Sequence, residues 1–349
     1  MRPRSNGVEK RCWVTLSTRP SYIPGVVTLA HSLQKQESSY PLLVLYTQSL
    51  GEKAIALLRS EAERSSRIQL RLVEPLLPRQ ENVGSVAERF QDTFTKLRAF
   101  ETFNLGYDTC VFLDADVAVF GYPDEIFDIT LPAHDWIAAA HACVCNLDSD
   151  PWAPKDWHKG NCAHTVGRDP DSEPTAVNQN SRPTYHQLNS GVFLYYPSQG
   201  LWDAVLDFFN RSETIKDYQF PDQDFLIDFF HCRWRPLSWK YNALKTRRYW
   251  HPQVWSDEKV ILLHYIVDKP WERRIQDDEL ARHLGRDGET HRWWWSLYDE
   301  WQKIAGNDQV AELVNTKPPV TRKVPLPESP GTPADVAEYP DDEKREILR

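Results

Sequence analysis

The strongest signal in the sequence is the stretch Val111-Phe112-Leu113-Asp114-Ala115-Asp116-Val117. Its first half ends a predicted apolar strand at residues 109–113, and its second half carries two carboxylates separated by one residue. Ligands of open α/β sheets bind beside the carboxyl ends of the strands, and paired carboxylates suit a hard divalent cation such as Mg²⁺ or Mn²⁺. The stretch therefore predicts a metal site at the edge of an α/β sheet. The alternative is that both aspartates cap a turn.

Strand and helix patterns alternate on both sides of this stretch. In the first half of the chain this order predicts right-handed βαβ units. A Gly-x-Gly-x-x-Gly motif after the first strand and a Walker-type loop are both absent from the sequence, so phosphates must be held in another way. We predict an α/β fold, a single Rossmann-like domain with a mixed central sheet. The predicted strands are residues 12–18, 41–47, 68–72, 109–113, 187–196 and 260–265, and the predicted helices are residues 22–34, 52–63, 94–103, 200–210, 222–230 and 292–301.

Composition excludes several classes of partner. The 349 residues include 41 Lys and Arg against 50 Asp and Glu, and the net charge of -9 argues against a nucleic-acid partner. A hydrophobic content of 41% is typical of a globular protein. No apolar run approaches the roughly 20 residues of a bilayer span, so we expect no membrane partner. A polar beginning of the chain predicts a cytoplasmic location, where a reducing environment would keep the six cysteines as thiols unless a metal binds them.

Three further segments carry side chains that suit a site. His264 lies near the end of a predicted strand and Lys269 follows in a turn, so an imidazole could complete a metal site and an ammonium could neutralise phosphate. The segment Asn189-Ser190-Gly191 offers hydrogen-bonding groups beside a glycine that permits close backbone approach. Asp222 either caps the helix that follows it or points into the site. The structural alternatives are a strand-end histidine and a turn that leads into a strand.

Taken in order along the chain, these motifs resemble glycosyltransferase family 8, which includes glycogenin and the plant galactinol synthases. The resemblance covers roughly residues 11–275 and is closest in kind to a fungal-type member. Near Val267 the sequence lacks a glycine that usually follows the histidine, and the His264–Lys269 gap is one residue shorter than in glycogenin. The motifs are Leu16-Ser17-Thr18 with Tyr22, Phe94-Thr95-Lys96-Leu97-Arg98, Asp114-Ala115-Asp116, Asn189-Ser190-Gly191, Asp222-Gln223, and His264 followed by Lys269-Pro270-Trp271.

The resemblance implies a fold and a site. It implies a GT-A type nucleotide-diphospho-sugar transferase fold, a UDP-sugar donor, and Mn²⁺ or Mg²⁺ as the cofactor. The metal ligands that it implies are Asp114, Asp116 and His264. The residues that it places at the donor are Leu16, Thr18, Tyr22, Lys96, Arg98, Ala115, Ser190 and Gln223, and the catalytic residues are Asp222, Lys269 and Asn189.

The expected activity is that of a retaining hexosyltransferase. It would move a hexose from the UDP-sugar to a hydroxyl of an acceptor, which is a small polyol, a saccharide or a protein. One alternative is a self-glucosylating primer like glycogenin, and an alternative of another class is a non-catalytic scaffold that binds partners. A homodimer is left open.

The domain division predicts one globular unit with a long insert. We predict a flexible N-terminus at residues 1–10, a GT-A domain at 11–314 and a disordered Pro-rich tail at 315–349, with an irregular insert at 142–186. Dense thiols and imidazoles in and beside the insert could bind zinc, but their spacing is not a standard zinc pattern. The other interpretation is an acceptor-side lid. The residues concerned are His141, Cys143, Cys145, His158, Cys162 and His164.

Overall fold

The computed structural model describes residues 9–79, 88–275, 282, 285–306 and 308–316. The predictions for residues 1–8 and for residues 317–349 lie outside the described residues. Among the residues described, no helix is both long and apolar enough to cross a membrane.

Two sheets form the centre of the described fold. The larger has seven strands in the order β3-β2-β1-β4-β7-β6-β8, and the smaller has three in the order β5-β10-β9. The strands are β1 Arg11–Ser17, β2 Leu42–Tyr46, β3 Ile68–Leu72, β4 Thr109–Leu113, β5 Val117–Val119, β6 Ile137–His141, β7 Leu188–Tyr195, β8 Trp234–Pro236, β9 Ala243–Leu244 and β10 Leu262–His264. The large sheet is mixed, because β1 pairs in parallel with β2 and β4 whereas β7 pairs antiparallel with β4 and β6.

Helices pack against the sheets and bury most of their apolar positions. The 3-10 segment Glu88–Leu105 precedes β4 and shares a core cluster with β4 and β7. The α-helices are α1 Ile23–Lys35, α2 Glu52–Arg64, α3 Gln199–Arg211, α4 Pro221–Phe229, α5 Arg247–Trp250, α6 Gly288–Ala305 and α7 Asp308–Ala311.

The core is divided by the large sheet into two layers. Successive side chains of a strand point to opposite faces, so Trp13 and Val111 lie in one cluster while Val14 and Phe112 lie in the other. Both faces are covered, which explains why these strands are continuous apolar runs rather than alternating ones.

The prediction of an α/β fold with a mixed central sheet is confirmed. The twelve predicted elements all appear, although residues 94–103 lie in a 3-10 segment rather than a regular helix. The prediction missed β5, β6, β8 and β9, which have two to five residues each. Strands β5, β8 and β9 have only two or three residues, too few to show a period, and three of the five residues of β6 are alanines, which are depleted in strands.

The small sheet brings the second half of the chain to the Asp-x-Asp turn. Strand β10 pairs antiparallel with β5, and His264 lies opposite Val117. The backbone N–H of Tyr265 donates to the carbonyl of Asp116 at 2.9 Å. Strand pairing therefore fixes His264 beside the aspartates, which are about 150 residues earlier in the chain.

Helix α1 approaches the same turn closely. A Cβ atom on Gly25 would lie 2.2 Å from the carbonyl oxygen of Ala115 and 2.9 Å from the ring of Trp271. Only a residue without a side chain fits there. Gly25 therefore lets the helix pack directly against the turn between the two aspartates.

Candidate active site

The Asp-x-Asp turn is held by backbone hydrogen bonds. The N–H of Asp114 donates to the carbonyl of Gly191 at 2.8 Å, and the N–H of Val117 donates to the carbonyl of Asp114 at 3.0 Å. The turn follows β4 directly, so both carboxylates stand at the carboxyl end of a central strand, where α/β proteins bind ligands.

The predicted metal ligands lie together. The Nε2 atom of His264 is 3.3 Å from Oδ1 of Asp116 and 3.9 Å from Oδ2 of Asp114. One donor atom from each of the three residues lies within 4.8 Å of the others. Asp116 and His264 are buried, and Asp114 is partly exposed. Two carboxylates and one imidazole thus lie together, with Asp114 on the side that solvent reaches.

A chain of hydrogen bonds sets the tautomer of His264. The backbone N–H of Gly191 donates to Oδ1 of Asn189 at 3.1 Å, which identifies that atom as the oxygen. The same oxygen accepts from Nδ2 of Asn242 at 2.8 Å, so the other atom of the Asn242 amide is its oxygen. That oxygen lies 3.0 Å from Nδ1 of His264 and accepts its proton. The Nε2 lone pair of a neutral imidazole therefore faces both aspartates.

Lys96 connects Asp114 to the helix that carries Asp222. Its Nζ atom lies 2.8 Å from Oδ1 of Asp114, 2.5 Å from Oδ2 of Asp222 and 3.3 Å from Oγ of Ser190. Burial alone would lower the pKa of Lys96, but the charges of Asp114 and Asp222 outweigh it and raise that pKa. Lys96 is therefore a permanent cation at this position.

Lys269 holds the other carboxylate. It donates to Asp116 and, at 3.0 Å, to the carbonyl of Tyr265, and its Nζ atom is 5.9 Å from the centre of the Tyr22 ring. Burial would raise the pKa of Asp116, but the ammonium group of Lys269 opposes burial and helps to hold that pKa well below its usual range. Asp116 is therefore ionised throughout the neutral range.

The charges of this cluster do not balance. Three carboxylates, on Asp114, Asp116 and Asp222, face two ammonium groups, on Lys96 and Lys269. The acidic groups thus outnumber the ammonium groups by one, which favours a cation over an additional anion.

Helix α4 presents the remaining polar groups. Asp222 and Gln223 lie in its first turn. Asp222 accepts from Oγ of Ser190 at 2.9 Å, and Oε1 of Gln223 accepts from Nδ2 of Asn189 at 3.2 Å. These hydrogen bonds join the Asn-Ser-Gly segment to the start of α4. We call the surface formed by Asn189, Ser190, Asp222 and Gln223 the polar wall.

The other residues predicted at the donor lie near the ends of β1 and β4. Tyr22 contacts Trp271 edge-on with ring centroids 5.5 Å apart and reaches Lys269 with its face. Thr18 donates to Oδ2 of Asp92 at 2.9 Å. Leu16 is partly buried at the strand end, and Ala115 is buried between the two aspartates.

Arg98 does not join the cluster in this structure. Its guanidinium donates to the carbonyl of Glu74 at 3.0 Å and to Glu101 at 3.0 Å, and it lies 5.4 Å from the Trp202 ring. These contacts explain Arg98 as a surface anchor of the Glu88–Leu105 segment.

Two residues in this region escaped the sequence analysis. Asn242 orients the imidazole of His264, and Asp92 binds both Thr18 and Arg19. Asn242 ends a short 3-10 helix that has no recognisable motif, and Asp92 lies in a polar segment. Only the contacts reveal them.

The residues present fit a divalent cation. Oxygen and imidazole nitrogen donors suit Mn²⁺ and Mg²⁺. Without a cation, a neutral imidazole would point its Nε2 lone pair at carboxylate oxygens of Asp116 and Asp114 that are 3.3 and 3.9 Å away, which is repulsive. A cation among the three donors turns this repulsion into attraction.

The fold and the site together define a class of protein. A mixed sheet with an Asp-x-Asp turn at the end of a central strand, completed by a histidine from the small sheet, is that of a GT-A type glycosyltransferase. A family model described as glycosyl transferase family 8 matches residues 13–274. The chain belongs to glycosyl transferase family 8. The predictions of this family, of the GT-A fold and of a sugar-transferring enzyme are confirmed.

Relatives of similar length support this membership. Galactinol synthase 4 of Arabidopsis thaliana is 26% identical over 302 residues, which cover 83% of this chain and 82% of the relative. Galactinol synthase 7 of the same plant is 26% identical over 337 residues, which cover 93% of this chain and 94% of the relative.

Solved structures show the same fold. The galactosyltransferase LgtC, in complex with donor and acceptor sugar analogs, superimposes with a TM-score of 0.54 at 16% identity, and the match covers 82% of this chain and 95% of that one. The glycosyltransferase GlyE of Streptococcus pneumoniae gives a TM-score of 0.54 at 18% identity and covers 87% of this chain and 64% of that one.

Proposed function

We propose that this enzyme transfers a hexose from a UDP-sugar to an acceptor hydroxyl, with retention of the anomeric configuration and with a divalent cation on Asp114, Asp116 and His264. The observation that carries the proposal is the orientation of His264. Its lone pair is aimed at two carboxylates by a chain of hydrogen bonds from Asn242. Such an arrangement serves a cation and is costly without one.

The donor side would hold the nucleotide and its diphosphate. When bound, the cation supplies Lewis-acid stabilisation of the departing diphosphate. Lys269 supplies a second positive charge beside Asp116, and Tyr22 contributes a ring face next to Lys269. Leu16, Thr18 and Ala115 line the carboxyl ends of β1 and β4, where we place the uridine and ribose.

The sugar side would be formed by the polar wall of α4 and β7. Positive charge develops at the anomeric carbon as its bond to the phosphate oxygen breaks, and the carboxylate of Asp222 is placed to stabilise that charge. Lys96 and Ser190 fix Asp222 from both sides. Asn189 and Gln223, bonded to each other at 3.2 Å, offer amide groups for the sugar hydroxyls.

Retention requires attack from the face that the leaving group vacates. The acceptor oxygen forms the new bond to the anomeric carbon, and the electrons of the broken bond stay with the UDP. The acceptor proton passes to a phosphate oxygen of that UDP. This route needs no carboxylate base, which agrees with the pairing of all three site carboxylates to lysines.

Names of relatives suggest the first substrates to test. Several relatives are called galactinol synthases, and one structural neighbour is called a galactosyltransferase. We therefore place UDP-galactose first among the donors and a small polyol first among the acceptors.

The test is a panel of UDP-sugars with Mn²⁺, in which released UDP is measured with and without a set of acceptors that includes inositol. We expect one UDP-hexose to give acceptor-dependent UDP release, and the product to keep the α-configuration by NMR. An inverted product would contradict retention. Absence of turnover with every donor, together with no thermal stabilisation by UDP and Mn²⁺, would contradict the function itself.

The same samples separate transfer to a free acceptor from self-glucosylation. Intact-mass analysis after incubation with the active donor detects hexose on the chain. We expect an unchanged mass, whereas a mass gain in steps of one hexose would support a primer.

A further inference from the structure

Three cysteines and one histidine, none of them part of the active-site cluster, converge in a second group. Cys143 and Cys145 follow β6, Cys162 lies in the insert at residues 142–186, and His251 follows α5. His251 is fully buried, Cys145 and Cys162 are buried, and Cys143 is partly buried. The four ligand atoms lie within 4.8 Å of one another.

The distances match a tetrahedral metal site. The Nε2 atom of His251 is 3.3 Å from Sγ of Cys143, 3.1 Å from Sγ of Cys145 and 3.7 Å from Sγ of Cys162. The sulfurs of Cys143 and Cys162 are 3.9 Å apart. With Zn–S near 2.3 Å and Zn–N near 2.0–2.1 Å, a regular tetrahedron places sulfurs about 3.8 Å apart and sulfur and nitrogen about 3.6 Å apart.

A disulfide does not account for this cluster. Bonded sulfurs are about 2.05 Å apart, whereas Cys143 and Cys162 are separated by 3.9 Å and all three cysteines are free. Three sulfur donors turned towards one imidazole nitrogen form instead the Cys₃His ligand set of structural zinc. Soft thiolates also distinguish this set from the oxygen-rich set at the active site.

A buried cation stands where such a site needs one. Three thiolates around a divalent ion leave a net charge of about -1. Arg247 begins the short helix that ends just before His251, is 4% exposed, and interacts electrostatically with all three cysteines. The backbone N–H of His251 donates to the carbonyl of Arg247 at 2.8 Å, so one turn carries both the ligand and the compensating charge.

We propose that Cys143, Cys145, Cys162 and His251 bind a structural Zn²⁺ ion. The metal joins the insert to the segment after β9, and four protein ligands leave no position for a substrate. The proposal concerns the folded state of the chain and does not depend on the donor, the acceptor or the transfer reaction.

The zinc site stabilises one side of the active site from a distance. The insert that carries Cys162 also carries Trp152, whose ring meets Phe220 at 5.5 Å, and Phe220 is the residue before α4. Asp222 lies in the first turn of that helix. Fixing the insert with zinc therefore supports the wall that presents Asp222.

The test is the metal content of the full chain, purified after expression with zinc and passed over a chelating resin. We expect an equimolar amount of zinc by mass spectrometry, and we expect Cys145→Ser and His251→Ala to lose it. Cys232→Ser is the matched control, because Cys232 lies in a separate group with His186 and His231. Cys232→Ser should keep the zinc.

A second measurement covers variants that fail to fold. A wild-type chain loaded with Co²⁺ in place of zinc should show thiolate-to-cobalt charge-transfer absorption, and a mercurial thiol reagent should release zinc in step with cysteine modification. Wild-type protein without zinc and without this absorption would overturn the proposal. Loss of zinc from Cys232→Ser with retention in Cys145→Ser would overturn it as well.

Discussion

Gly191 lies so close to the imidazole of His264 that no other residue fits at its position. A Cβ atom on Gly191 would stand 2.1 Å from Cε1 and 2.5 Å from Nδ1 of that ring. The glycine of the Asn-Ser-Gly segment thus makes room for the imidazole of His264. Close approach of this kind is a reason for glycine that does not involve backbone freedom.

Gly191→Ala should therefore displace His264 and reduce turnover by at least about tenfold, because the imidazole would leave its position beside the aspartates. Steady-state assays of UDP release at saturating Mn²⁺ would measure this. Gly200→Ala is the matched control, since a Cβ there meets nothing within 4 Å. Equal activity of Gly191→Ala and wild type would show that the ring has room to move.

Removal of the divalent cation should abolish transfer. We expect EDTA to stop UDP release and added Mn²⁺ to restore it, and we expect Asp116→Ala to remain inactive with excess Mn²⁺. Asp156→Ala, which changes an exposed aspartate of the insert, should behave like wild type. Full activity in EDTA would refute the metal role of Asp114, Asp116 and His264.

Asp222→Asn should lower kcat at least about a hundredfold while the KM for the donor changes little, because the carboxylate acts mainly on charge that develops in the transition state. Lys96 would then lose one of its two carboxylate partners. Asp228→Asn, an exposed change on the same helix, is the control. An unchanged kcat in Asp222→Asn would remove Asp222 from the reaction.

Val267 adopts a left-handed backbone conformation, with φ of 64°. It occupies the region where the family resemblance led us to expect a glycine. A β-branched residue in this conformation costs about 1–2 kcal/mol, and replacing it by glycine costs about 0.4–1 kcal/mol through the unfolded chain.

Val267→Gly should accordingly leave the unfolding free energy unchanged or raise it by up to about 1.6 kcal/mol in chemical denaturation. Val166→Gly is the control, because Val166 is exposed like Val267 but has φ of -73°. That control should be destabilised. A loss of stability in Val267→Gly as large as in Val166→Gly would show that the left-handed conformation stores no strain.

The sequence predicted some strands of the fold and missed others. Strands β2 and β4 were predicted because burial on both faces requires a continuous apolar run. The short strands β5 and β9 were not predicted, although β10 pairs with both of them to place His264. Asn242 was missed because its role exists only through its contact with the imidazole of His264.

The proposed zinc ligands show most clearly what residue spacing along the sequence could not predict. The sequence drew attention to Cys143, Cys145 and Cys162 but grouped them with His141, His158 and His164. In the structure His141 binds the carbonyl of Thr175 and His164 that of His141, and the fourth member of the cluster is His251, more than 100 residues beyond Cys145.

Apolar runs and short motifs are properties of neighbouring residues, and they were enough to predict the α/β class, the family and the grouping of Asp114, Asp116 and His264. Tertiary structure alone decided which atoms meet. Asn242 aims His264, Gly191 leaves space for it, and His251 joins three distant cysteines. These contacts depend on strand pairing and packing between distant segments, and neither is written in the spacing of residues along the chain.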